Sequence, residues 1–169
     1  MSRPAVNPIT VEVVRSGLAH IANEMATVLR KTSYNMMIYE VRDYCVGIVD
    51  PQGNILSQNF GALPIFLADL GPAIVDGMRM HGKNGIQPGD VLLMNHPYVC
   101  GQHLNNVVVY TPFFHQGELV AFLAVRAATV RLWNGRATCW NVTGGSAMCR
   151  RATFKRYTNG SEATLSLER

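Results

Sequence analysis

Two runs of strand-forming residues dominate this chain: VVVYTPFF at 107–114 and LVAFLAVRA at 119–127, separated by His115-Gln116-Gly117-Glu118. A strand that faces water on one side alternates apolar and polar residues, whereas a strand apolar at nearly every position needs cover on both faces. The turn between the runs carries hairpin chemistry, so they pair with each other. The rest of the chain must then supply something to lie above and below them, and the natural cover is helical.

Two segments have that character. Val11, Val14, Leu18, Ile21, Met25 and Val28 are spaced 3, 4, 3, 4, 3, which lines one face of a helix over about 11–31. Thr10 is its expected N-cap; Glu12 lies near the positive end of its dipole, and Arg30 and Lys31 near the negative end. Leu67, Leu70, Ile74 and Met78 mark a second helix. Between the helices, Tyr44 to Val49 and Ile55 to Gln58 flank Asp50-Pro51-Gln52-Gly53, a further hairpin. VLLMN at 91–95 is a short, buried-looking strand after the loop HGKNGIQPGD. The expected fold class is therefore α/β (mixed): a long N-terminal helix, a β-hairpin, a second helix, then a strand and a second hairpin, in one mixed sheet.

Composition divides the chain at one place. Residues 1–127 carry eight Lys and Arg against nine Asp and Glu, a balance of −1, whereas residues 128–169 carry seven against two, or +5. Apolar periodicity stops at the same point. Residues 1–127 are expected to form the folded region and 128–169 a basic, irregular tail. A basic tail can touch nucleic acid, but these basic residues form no helical stripe and lack regular aromatic interleaving, so nucleic acid is not the expected partner. No apolar run approaches the roughly 20 residues of a membrane span. The N-terminus does not read as a secretory signal, so the expected location is cytoplasmic. Cys45, Cys100, Cys139 and Cys149 include no CxxC spacing and are expected to be reduced thiols.

Chemistry-bearing residues gather in NHPYVCGQHLNN, 95–106, which places His96, Cys100 and His103 within eight positions. Borderline metals accept imidazole, thiolate and carboxylate together. A loop capped by histidines around a buried thiol satisfies the same spacing, and Pro97 and Gly101 shape the loop either way. EVRDYC places Glu40, Arg42 and Asp43 at a strand entrance, where an acid can ligate a metal, act as a base or pair with arginine. VTGGSAM lacks the Lys-Ser/Thr ending of a phosphate-cradling loop, and there is no GxSxG elbow. Any ATP is expected to be bound by another chain or by a further segment.

The stretches NPITVEVVRSGLAHIANEMATVLRKTSYNMMIYEVRDYCVGIVDPQGNILSQ, GALPIFLADLG, PGDVLLMNHPYVCGQHLNNVVVYTP and GELVAFLAVRA run in one order from about Asn7 to Ala127. Together they resemble the N-terminal part of the hydantoinase B/oxoprolinase family, the B-type parts of cyclic-amide hydrolases and acetone-type carboxylases. The resemblance implies a divalent metal, zinc or manganese, bound by a His-x-x-Asp pair. That pair stands here as His103 and Asn106, with Asp43 as a further ligand or orienter. The family's Asn-Asp-Pro-Tyr is Asn95-His96-Pro97-Tyr98 in this chain, and the histidine of its usual Arg-Ala-His is Ala128.

The resemblance also implies function. The expectation is a fragment of an ATP-dependent hydrolase that opens a small cyclic amide, a hydantoin or 5-oxoproline. An A-type subunit would be its partner and would bind the ATP, and the chain would be inactive alone. A B-type carboxylase subunit and a non-catalytic interaction module are the alternatives. Because the Ala128 departure coincides with the change in composition, residues 128–169 are expected to be unrelated sequence, from a shifted reading frame or a truncated gene product.

Overall fold

A computed structural model describes residues 6–82, 84–99 and 106–128, together with the backbone of 149–154 and 165–168. The elements in chain order are α1 (Pro8–Thr32), α2 (Met36–Tyr39), β1 (Tyr44–Val49), β2 (Ile55–Gln58), α3 (Pro64–His81), β3 (Asp90–Met94), β4 (Asn106–His115), β5 (Glu118–Ala128), β6 (Cys149–Phe154) and β7 (Leu165–Glu168). They form one sheet in the order β2-β1-β5-β4-β3-β6-β7. The α/β class holds. The pairings of the described strands are all antiparallel, where a mixed sheet was expected. Hairpins join β1 to β2 and β4 to β5, and the long return to β5 also runs opposite to β1. In the region expected to be irregular, β6 and β7 carry strand pairing. The remainder of that region lies outside the described residues.

The two hairpins form where their turns dictate. Gln116 and Gly117 both have positive φ, +50° and +83°, the geometry that matches the right-handed twist of flanking strands. In the first hairpin, Asp50 Oδ1 accepts from the N–H groups of Gln52 (2.9 Å) and Asn54 (2.8 Å). Gly53 adopts φ +88°, and its carbonyl lies against Gly71 of α3 so closely that a Cβ at Gly71 would collide with it. Two glycines thereby let the hairpin turn and the helix backbone touch.

One sheet face is covered by α3. Leu70 and Ile74 are fully buried there with Cys45, Leu92, Met94, Val108, Tyr110 and Phe122, and Leu67 and Met78 pack at the margin. This is the α3 face expected from its spacing. The opposite face is covered by α1 and by α2, a single helical turn that the sequence pattern does not announce. Ala26, Ile38, Tyr44, Val46 and Ala127 form that second core, with Met25 and Leu29 at its edge.

Two expectations for α1 are corrected. Its N-cap is Asn7, whose Oδ1 accepts from Ile9 N at 2.9 Å, and Pro8 rather than Thr10 opens the helix. Proline suits a first helical position because its φ is preset and it has no orphan N–H. Most of the apolar stripe is also not the packed face, although Met25 reaches the margin of the second core. Val11, Val14, Ile21 and Val28 are 50%, 55%, 42% and 59% exposed, whereas Ala22 and Ala26 are 0% and 6%. The space above β1 is already occupied by Tyr44, Val46 and Ile38, so α1 approaches through its smallest side chains. Arg30 and Lys31 do occupy its last turn.

Candidate functional site

Two of the three expected metal ligands lie at one end of the central strands. Asp43 immediately precedes β1, Asn106 opens β4, and Ala128 closes β5 between them. Asn106 pairs with Ala128, and Ala128 N donates to the Asp43 carbonyl at 3.1 Å. The three residues thus form one row across three adjacent strands. Neighbouring strands are about 4.8 Å apart, so the backbones of Asp43 and Asn106 are separated by roughly 10 Å, with Ala128 midway.

Side-chain alternation assigns the row to a face. Cys45, Arg126 and Val108 form the next row inward, with Cys45 paired to Arg126 and Arg126 to Val108. Cys45 and Val108 lie in the α3-side core. Positions two residues along a strand share a face, so positions 128 and 106 belong to the α3 side; Asp43 stands just outside β1, in a tight turn where Tyr44 N donates to the Arg42 carbonyl at 2.9 Å. Asn106 and Ala128 are 3% and 5% exposed, and Asp43 is half-buried. At this row the middle strand contributes only the methyl side chain of Ala128.

Beneath the row lies a buried charge. Arg126 is 1% exposed; its Nη1 is ion-paired with Asp69 Oδ2 of α3, and its guanidinium carbon lies 4.2 Å from the centre of the Phe66 ring. Burial pushes the neighbouring Cys45 thiol up to about 12, although the Arg126 charge pulls it the other way. A thiol so placed stays protonated and is a poor nucleophile. Cys45 is free.

His103, the third expected ligand, lies outside the described residues, as does Cys100. His96 leaves β3 two positions after Met94, which pairs with Val108. Its Nδ1 is buried without a hydrogen-bond partner among the described residues, and its ring lies 5.7 Å from that of Tyr98. Glu40 and Arg42 are exposed, and among the described residues no ion pair joins Arg42 to Asp43. Arg42 instead adopts φ +61°, turning the chain sharply into β1. Among the described residues no three His, Cys, Asp or Glu side chains gather into a metal-sized group.

The sequence pattern overlooked Asp69 and Asn35. Asp69 is one acid in an amphipathic helix, and nothing local reveals that it faces a buried arginine 57 residues away. Asn35 reads as a cap for α2 but also reaches Ala128, 93 residues on.

Residues 7–130, most of the chain, match the Hydantoinase B/oxoprolinase family along the same stretch that builds β1, β4, β5 and the row between them. The chain belongs to this family. It is 35% identical over 124 residues to the 5-oxoprolinase of Saccharomyces cerevisiae, covering 72% of this chain and 9% of that protein. It is 32% identical over 125 residues to a Pseudomonas protein named as the B-type subunit of a D-/L-hydantoinase, covering 72% of this chain and 21% of that one. The crystal structure of the ATP-dependent caprolactamase from Pseudomonas jessenii superposes with a TM-score of 0.62 at 27% identity, over 75% of this chain and 21% of that one. The chain thus spans about a fifth of these proteins, or less. Among the described residues, no helix is long and apolar enough to cross a membrane.

Proposed function

We propose that this hydantoinase B/oxoprolinase chain contributes the metal-holding part of an ATP-dependent opening of a small cyclic amide, with an A-type subunit as its partner. The observation that supports this reading is the row Asp43, Ala128, Asn106, in which the backbones of an acid and an amide residue flank an alanine at one end of the sheet. The names of the relatives (5-oxoprolinase, D-/L-hydantoinase and caprolactamase) are those of proteins acting on cyclic amides.

The donor chemistry fits an oxygen-preferring divalent cation such as manganese better than catalytic zinc. Oxygen ligands suit hard ions, and two of the three candidate donors, Asp43 and Asn106, are oxygens. Asp43 would hold such an ion with its carboxylate, Asn106 with its amide oxygen, and His103 with its imidazole. Held there, a divalent cation would supply Lewis acidity, able to polarise an amide carbonyl and to make a water more acidic. In this reading Asp43 would also accept the proton of the attacking water. In the ring opening, the carbonyl carbon gains the hydroxyl of water, the C–N bond breaks and the nitrogen takes the proton, with ATP hydrolysed to ADP and phosphate by the partner.

The test has two arms. Manganese is titrated into the purified chain and into Asp43→Asn, with binding read by electron paramagnetic resonance. The chain is then combined with an A-type subunit, ATP, and either 5-oxoproline or hydantoin. Saturable binding lost in Asp43→Asn, and ring-opened product formed together with ADP, support the reading. Manganese binding that is absent, or unchanged by the substitution, overturns the metal site. Bicarbonate-dependent consumption of acetone without lactam opening moves the chain to the carboxylases.

A further inference from the structure

Four hydrogen bonds around Asp43 close on themselves. Asn35 Nδ2 donates to the Ala128 carbonyl at 3.0 Å. Ala128 N donates to the Asp43 carbonyl at 3.1 Å, and Asp43 N donates to the Met37 carbonyl at 2.7 Å. Met37 N donates to Asn35 Oδ1 at 3.0 Å, completing the circuit. One side-chain amide therefore uses its donor toward the end of β5 and its acceptor toward the first turn of α2. Both backbone groups of Asp43 lie on the path between. From this circuit we infer that Asn35 is a positioning residue, which sets Asp43 against Ala128 and Asn106; the inference rests on the metal role proposed for Asp43.

The physical case is one of constraint. Asp43 lies outside β1 proper and follows Arg42, whose φ of +61° is uncommon for a side chain other than glycine. No ladder pairing on its outer side holds it, because β2 reaches only the stretch Gly47 to Val49. Its orientation is set on one side by α2, a single turn of helix that is too short to be stable by itself. Asn35 fastens both neighbours of Asp43: it caps α2, and it tethers Ala128, the residue that bonds the Asp43 carbonyl. A ligand needs its rotamer and backbone held within a fraction of an ångström, and such support comes from hydrogen bonds one layer removed. The amide carries both groups, a donor and an acceptor, on separate atoms of one side chain. Aspartate keeps the acceptor that caps α2 but turns a second acceptor toward the Ala128 carbonyl, while alanine loses both.

Asn35→Asp therefore separates tethering from capping. The readouts are backbone amide exchange by nuclear magnetic resonance and manganese binding by electron paramagnetic resonance, in the full chain, Asn35→Asp and Asn35→Ala. In Asn35→Asp the Ala128 and Asp43 amides are expected to exchange at least tenfold faster, while Met37 and mid-sheet amides such as Phe122 stay within twofold. Manganese affinity is expected to fall at least tenfold in both variants. Exchange at Ala128 and Asp43 that is unchanged in Asn35→Asp overturns the inference, since Asn35 is then only a helix cap. Faster exchange with unaltered manganese affinity also overturns it. If the unsubstituted chain binds no manganese, the metal reading falls, and the tether is judged by the exchange rates alone.

Discussion

Arg126 of β5 and Asp69 of α3 form an ion pair whose basic member is almost wholly buried, 1% exposed, beneath the Phe66 ring. Asp69 keeps 28% of its side chain accessible, so the pair is asymmetric: the arginine has surrendered its water and the aspartate only part of it. Removing the acid strands a charge, whereas replacing both residues by apolar ones strands nothing.

Asp69→Ala is accordingly expected to destabilise the fold by about 3–5 kcal/mol, and the pair Asp69→Leu with Arg126→Met by much less, about 1 kcal/mol. Urea denaturation of the two variants measures the difference. A double variant as unstable as Asp69→Ala would show that the pair is favourable in itself.

Asn59 is 4% exposed, and its Oδ1 accepts from Val46 N at 2.8 Å while its backbone N–H donates to the Val46 carbonyl at 3.1 Å. It continues the β1–β2 ladder with a side chain where β2 has ended. Asn59→Ala leaves the buried Val46 N–H without its partner and is expected to cost about 1–3 kcal/mol, read from the urea midpoint.

On α1, Val14→Lys is expected to change stability by no more than about 0.5 kcal/mol, since the residue is 55% exposed. Ala26→Leu, which adds three carbons where the helix meets the sheet, is expected to cost about 1–3 kcal/mol. Thermal melts that reverse this order would mean that α1 packs through its valine stripe.

The Asp50 carboxyl is held below its ordinary value of 3.8. Its slight burial acts upward, but hydrogen bonds from the Asn54 side chain and from the N–H groups of Asn54, Gln52 and Gly53 together outweigh that. The folded chain thus favours the ionised form. The associated stability is present above the ordinary carboxylate range and fades as pH falls through the depressed folded value. Asp50→Asn should be less stable than the unsubstituted chain at about pH 6, and the gap should close toward about pH 2. Denaturation midpoints across that range provide the check.

The local elements were legible and the long-range ones were not. Both hairpins stand where Asp50-Pro51-Gln52-Gly53 and Gln116-Gly117 place them, because those turns are decided by four adjacent residues. The packed face of α3 follows from Leu70 and Ile74 for the same reason. The orientation of α1 depends on Ala22 and Ala26, and alanine carries too little apolar signal to outvote six larger residues. At the site, family resemblance pointed to Asp43 and Asn106. The relation between them requires the β1–β5 and β4–β5 registers, and the circuit through Asn35 requires a contact 93 residues apart. No periodicity encodes either.

The seam between β1 and β5 has a consequence for how the chain is made. Tyr44 pairs with Ala127, 83 positions later, and β5 is the neighbour that β1 has on that side. During synthesis β1 therefore leaves the ribosome with an open apolar flank, which waits while α3, β3 and β4 emerge. At 5–20 residues per second the wait is roughly 4–17 seconds, long enough for a nascent chain to meet a chaperone or a wrong strand. The β1–β5 seam therefore closes only after α3, β3 and β4 have all been made.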